Sequence, residues 1–168
     1  ALTNAYADAR GEKMLGWQCE RPGRVQYVDG EMHGGYLQTR MRQYGRAPRG
    51  TLHIVCRDTF NLRRQAMPDL GTPEGRRAID EIIKQVQPDL VILDSLSTLV
   101  RTGEENSPED WLPVQDWLMG HRWRGRAMLM IHHAGKSGAQ RGTSKREDTP
   151  ETTIQLIKRP RDADAAAD

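Results

Sequence analysis

The segment DLVILDS, Asp89 to Ser95, sets four consecutive apolar residues in front of a carboxylate. A strand with one wet face alternates apolar and polar side chains, whereas a strand that is apolar throughout is covered on both faces, as in a parallel sheet between helices. A second run of this kind, RAMLMIHH (Arg126 to His133), lies downstream. Working outward, three more strand candidates complete a set of five: RVQYVDG from Arg24, TLHIVCR from Thr51 and TTIQLIKR from Thr152. Helical patterns alternate with them. PEGRRAIDEIIKQV, residues 73 to 86, places Ala78, Ile79, Ile82, Ile83 and Val86 on one face, with Thr72 as N-cap and Pro73 in the first turn. A second helix follows Ser107 and Pro108, where Asp110 completes a capping box and Pro113 implies a kink or a later start near Leu112. Trp111, Val114, Trp117 and Leu118 are its expected core contacts. Strands alternating with helices predict an α/β fold with a mostly parallel twisted sheet and right-handed crossovers.

The 168 residues fit one domain with a core of useful size. Charged residues make up 29% and apolar residues 36%, and no apolar run is long enough to span a bilayer. No secretory leader is readable, so a cytoplasmic location without membrane association is expected. Cys19 and Cys56 are far apart, which argues against a thiolate metal centre or a redox pair. The net charge of +2 does not by itself imply nucleic acid.

The ends of the chain look different from its middle. ALTNAYADA spaces Leu2, Ala5, Tyr6 and Ala9 as a helix, although a doubly wound sheet ordinarily starts with a strand, so a preceding segment is expected. The tail RDADAAAD, residues 161 to 168, is small and acidic and is expected to be disordered. GWQCERPG, Gly16 to Gly23, reads as a connecting loop, with Trp17 packed into the core in preference to a place near a ligand.

Parallel α/β sheets collect ligands at the C-terminal ends of their strands. Those ends are polar here: Asp29-Gly30-Glu31, Asp94-Ser95, His132-His133 and Lys158-Arg159. A carboxylate after an apolar strand suits a magnesium-dependent phosphoryl-transfer site, and it equally suits a cap on the following turn. Glu31 at a neighbouring strand end could deprotonate an attacking water. The letters Gly135-Lys136-Ser137 mimic a phosphate loop, but the position of that loop's first glycine falls on Met130, and no apolar helix follows. GRAPRGT, Gly45 to Thr51, has the glycine spacing without the lysine.

Together, VDGEM, LQTR, DLVILDSLSTL, IHHAGKSGAQRGTS and IKRP resemble the RecA-like P-loop ATPase core of RepA-type hexameric replicative helicases and related AAA-family ATPases of plasmids and phages. The resemblance covers residues 1 to 160 and implies an ATP-hydrolysing motor in DNA replication that uses ATP and Mg2+. It implies Glu31 as the glutamate that polarises water, Asp94 as the residue that acts on magnesium, and His133 as the sensor of the γ-phosphate, with His132 as the alternative. Arg40 would lie near the phosphates, and Lys158 and Arg159 would reach a neighbouring subunit's nucleotide, Arg159 as an arginine finger. Lys136, Arg141, Lys145 and Arg146 would contact single-stranded DNA inside a homo-oligomeric, hexameric ring. The family's Gly-x-x-x-x-Gly-Lys-Ser/Thr loop occurs nowhere in these residues, and it would sit, with the first strand, just before Ala1. The chain on its own is therefore expected to be inactive. Two rivals stand beside this reading. Asp29, His33, Asp94, His132 and His133 could ligate metals in a phosphoesterase, or the chain could be a degenerate module used for assembly or DNA binding.

Overall fold

The computed structural model describes residues 1–103, 107–133 and 149–156. Helix α1 (Leu2–Arg10) leads into a small hairpin, β1 (Lys13–Met14) and β2 (Trp17–Gln18), and then into β3 (Val25–Asp29). There follow α2 (Gly34–Tyr44), β4 (Leu52–Cys56), α3 (Arg57–Asn61), α4 (Pro73–Val86), β5 (Leu90–Asp94), α5 (Leu96–Leu99), α6 (Pro108–Trp123) and β6 (Ala127–Met130). The last four long strands form one sheet in the order β4-β3-β5-β6, and every neighbouring pair is parallel. This is the expected α/β fold.

The pleat assigns side chains to the two faces. Val25 and Tyr27 of β3 and Ile92 of β5 pack with Leu2, Ala5, Tyr6 and Ala9 of α1 and with Leu37 of α2. Val28, Val91 and Leu93 point the other way, onto Ile79 and Ile83 of α4 and Trp111, Val114 and Leu118 of α6. Helix α4 has the bounds read from sequence, and the Thr72 hydroxyl accepts the Gly75 amide as its cap. Ala78, expected on its buried face, is exposed. Helix α6 starts at Ser107-Pro108 and runs through Pro113 without the later start considered above, because Trp111, Val114 and Leu118 tie both sides of the proline to the core.

Two other expectations fail. Residues Thr152 to Leu156, the first part of the fifth strand candidate, carry no strand, and Ile154 and Leu156 are exposed. Gly16 to Gly23 includes the second strand of the hairpin, whose Leu15-Gly16 turn has positive φ at both residues, a backbone that the hairpin twist favours. Trp17 sits on that hairpin and is exposed rather than in the core. Among the described residues, no helix is long and apolar enough to cross a membrane.

Candidate active site

Register brings the chemistry together. Asp29 at the end of β3 pairs with Cys56 of β4 on one side and with Asp94 of β5 on the other. Residues in register on parallel strands share a face, so both carboxylates rise on the side covered by α1, one layer above Tyr27 and Ile92. Tyr27 is fully buried, and its hydroxyl donates to Asp94 Oδ2 at 2.5 Å. Burial and this bond to Asp94 push the Tyr27 phenol far above its usual range, so it stays a donor at any physiological pH.

Asp29 is also fully buried. Its Oδ1 accepts the backbone N–H groups of Glu31 at 2.8 Å and Met32 at 2.7 Å, while Oδ2 has no hydrogen-bond partner among the described residues. Burial drives the Asp29 carboxyl up against the pull of those two amides, and Asp94 and Glu31 push it the same way. The intervening Gly30 donates its N–H to the Asp94 carbonyl at 2.7 Å and accepts from Arg57 Nη2 at 3.3 Å. A larger residue there would crowd α5: a Cβ would come within 2.7 Å of Thr98 Oγ1 and 2.8 Å of Leu99 Cδ2.

The turn delivers Glu31 to an exposed position, where Oε2 meets His133 Nε2 at 3.3 Å. His133 lies just beyond the end of β6 at Met130, a strand shorter than the sequence suggested. Of the two histidines, His133 is the exposed one and touches Glu31, and His132 is half-buried. The chain after β6 is stitched to β5 by Ile131 N to Leu93 O and to the start of α5 by Leu96 N to Ile131 O, both at 2.9 Å, which holds Ile131 beside the end of β5. Arg40 of α2 is exposed and turns back toward the same region, with Nη1 3.3 Å from Met32 Sδ. Glu31, Asp94, His133 and Arg40 thus gather around one end of the sheet. Lys136, Arg141, Lys145, Arg146, Lys158 and Arg159 lie outside the described residues.

His33 does not join this group. It caps α2, accepting the Gly35 amide at its Nδ1, and its Nε2 faces Asp58 at 3.6 Å. Among the described residues, no three His, Cys, Asp or Glu side chains converge as a metal-binding cluster, so the ligand set of a two-metal phosphoesterase is not assembled. Tyr27, Asp29 and Arg57 are the site residues that pattern reading did not single out for these roles. For Tyr27 a signal existed, since it lies two residues before Asp29 and so on the same face.

Comparison with known proteins bears on what such an arrangement belongs to. A solved structure of a KaiC-like protein from the hyperthermophilic archaeon Pyrococcus horikoshii OT3 aligns with a TM-score of 0.48 at 15% identity, over 83% of this chain and 56% of that one. The chain therefore spans little more than half the length of that protein. Curated proteins give no match in sequence. A family profile described as an AAA domain matches residues 1–139, most of the sequence and all of the strand ends just described. The chain belongs to the AAA domain family, carried here on an α/β core with a four-stranded parallel sheet.

Proposed function

We propose that this domain is the ATP-hydrolysing motor of a ring-forming, RepA-like helicase that acts on single-stranded DNA. The observation that carries the reading is the meeting of Glu31 with His133 beside Asp94, three residues from three strand ends. Glu31 Oε2 takes a proton from water as the water oxygen bonds to the γ-phosphorus and the bond to the β-phosphate oxygen breaks, which yields ADP and phosphate. His133, already within reach of Glu31, donates to a γ-phosphate oxygen and so couples the presence of nucleotide to the position of the base.

The oxygen donors suit a hard divalent cation. Tyr27 occupies Asp94 Oδ2 and leaves Oδ1 for a metal-bound water. Mg2+ would neutralise charge on the phosphates, and Asp94 would hold it through water. No phosphate loop is present in these 168 residues. A phosphate loop placed ahead of Ala1 would lead into α1, whose first residues pack on the same face of the sheet as Asp29 and Asp94. Lys136, Arg141, Lys145 and Arg146 would meet the DNA backbone, and Arg159, with Lys158, would complete a neighbour's site in a hexamer.

The test uses protein in which such a loop precedes Ala1. Mg2+-dependent ATP hydrolysis stimulated by single-stranded DNA is expected, and Glu31→Gln should lower turnover by about a hundredfold or more with ATP binding retained. Loss of binding with unchanged turnover per bound ATP would remove Glu31 from this role. The 168-residue chain alone should hydrolyse ATP negligibly, and robust turnover by it would contradict the need for an external cradle. Mixed rings of Arg159→Ala and Glu31→Gln subunits should regain activity if the arginine acts in trans.

A further inference from the structure

Glu31 presents a puzzle of precision, because a base that must address one water sits on an exposed side chain whose only described hydrogen-bonding contact is His133. The order must come from the backbone beneath it. Three successive amides there are all engaged: Gly30 N–H by the Asp94 carbonyl, and the N–H groups of Glu31 and Met32 by one oxygen of Asp29. A charged acceptor holds amides more strongly than a neutral one, and this acceptor is wholly buried at the end of the inner strand β3, in register with Asp94. The Gly30 carbonyl is held as well, by Arg57 from the end of β4.

We propose that Asp29 is the positioning residue for Glu31, folding the Gly30–Met32 turn so that the Glu31 carboxylate stands at a fixed place relative to Asp94. The assignment rests on the hydrolytic role proposed above for Glu31. It gives Asp29 no contact with nucleotide, metal or water. Its work is done through backbone amides, and small displacements of a reacting group are enough to cost large factors in rate.

Three substitutions in the loop-bearing ATPase proposed above separate the possibilities. Asp29→Ala removes the acceptor, and kcat should fall at least about tenfold while KM for ATP stays within about twofold, the signature of an effect confined to the chemical step. Asp29→Asn and Asp29→Ser each keep a side-chain oxygen able to accept the same amides and should retain kcat to within about threefold, with an unchanged Mg2+ requirement. Circular dichroism reports whether each variant folds, and if the alanine variant does not, the asparagine and serine variants decide. The inference is overturned if the alanine variant turns over like wild type, if the asparagine and serine variants are as slow as Glu31→Gln, or if any folded variant shifts the Mg2+ requirement. A wild-type rate in Glu31→Gln itself would instead strike the role of Glu31, an outcome readable apart from the other three.

Discussion

Glu31 Oε2 and His133 Nε2 stand 3.3 Å apart across 102 residues of chain, joining the end of β3 to the segment that follows β6. Both side chains are more than half exposed, so the contact adds little to stability. On the proposed hydrolytic role its value is positional. A γ-phosphate oxygen competing for the imidazole would loosen this contact and free the carboxylate for water. On the proposed function, His133→Ala should therefore leave folding and ATP affinity nearly intact and lower kcat by about tenfold or more in the loop-bearing protein. The same loss from His132→Ala with a normal His133→Ala would reverse the two assignments.

The bond from Tyr27 to Asp94 allows a second test. Phenylalanine keeps the ring in its buried slot and removes only the hydroxyl, leaving Asp94 Oδ2 without its donor. Tyr27→Phe should cost about 1–2 kcal/mol of stability, as for an unmade buried hydrogen bond. It should also raise the Mg2+ concentration needed for half-maximal hydrolysis, because the carboxylate can rotate. Titration of activity against Mg2+ at saturating ATP checks this. An unchanged midpoint would make the hydroxyl a stability element alone.

A side chain at Gly30 would force Thr98 and Leu99 of α5 to shift. A methyl group there would meet Thr98 Oγ1 and Leu99 Cδ2 well inside contact distance. Gly30→Ala should destabilise the protein by about 1–3 kcal/mol through overpacking and should depress kcat as the turn shifts Glu31. Urea denaturation and steady-state kinetics on the same preparation report the two effects.

The fold was readable where burial follows a period. The run from Leu90 to Asp94 announced a two-sided strand, and α4 was legible from Thr72, Pro73 and its isoleucines. Ala78 was misplaced because alanine fits a helix on either face. Helices α3 and α5 have five and four residues, too few to show any period. The hairpin with Trp17 was hidden because two-residue strands carry no alternation, and the large aromatic suggested a core. For the site, the strand ends named Glu31, Asp94 and His133, yet their arrangement depended on strand order. Only the placement of β3 between β4 and β5 sets Asp29 beside Asp94 and lets Tyr27 reach the carboxylate.

Far from the strand ends, α4 and α6 are locked by one carboxylate. Asp80 Oδ1 accepts from Trp117 Nε1 at 2.7 Å and from His121 Nε2 at 2.9 Å, and the two rings meet edge to face. His121 is almost wholly buried, and its Nδ1 lies 3.5 Å from Arg126 Nη1, so a neutral ring donates on one side and accepts on the other. Burial lowers the His121 pKa from the ordinary 6.5; Asp80 opposes the shift, while Arg126 and Arg124 add to it. The unfolded chain therefore takes up a proton at a pH where the folded ring remains neutral. The stability that His121 contributes is complete above about pH 6.5 and is lost as the pH falls below that toward the depressed folded value. Urea midpoints should consequently drop between pH 7 and pH 5, and His121→Gln should flatten that part of the profile. Asp80→Ala, which strands two donors, should cost about 2 kcal/mol at pH 7.5. A wild-type profile that rises on acidification through this window, or one that His121→Gln leaves unaltered, would show that the ring is charged in the folded protein and that Asp80 holds it as an ion pair.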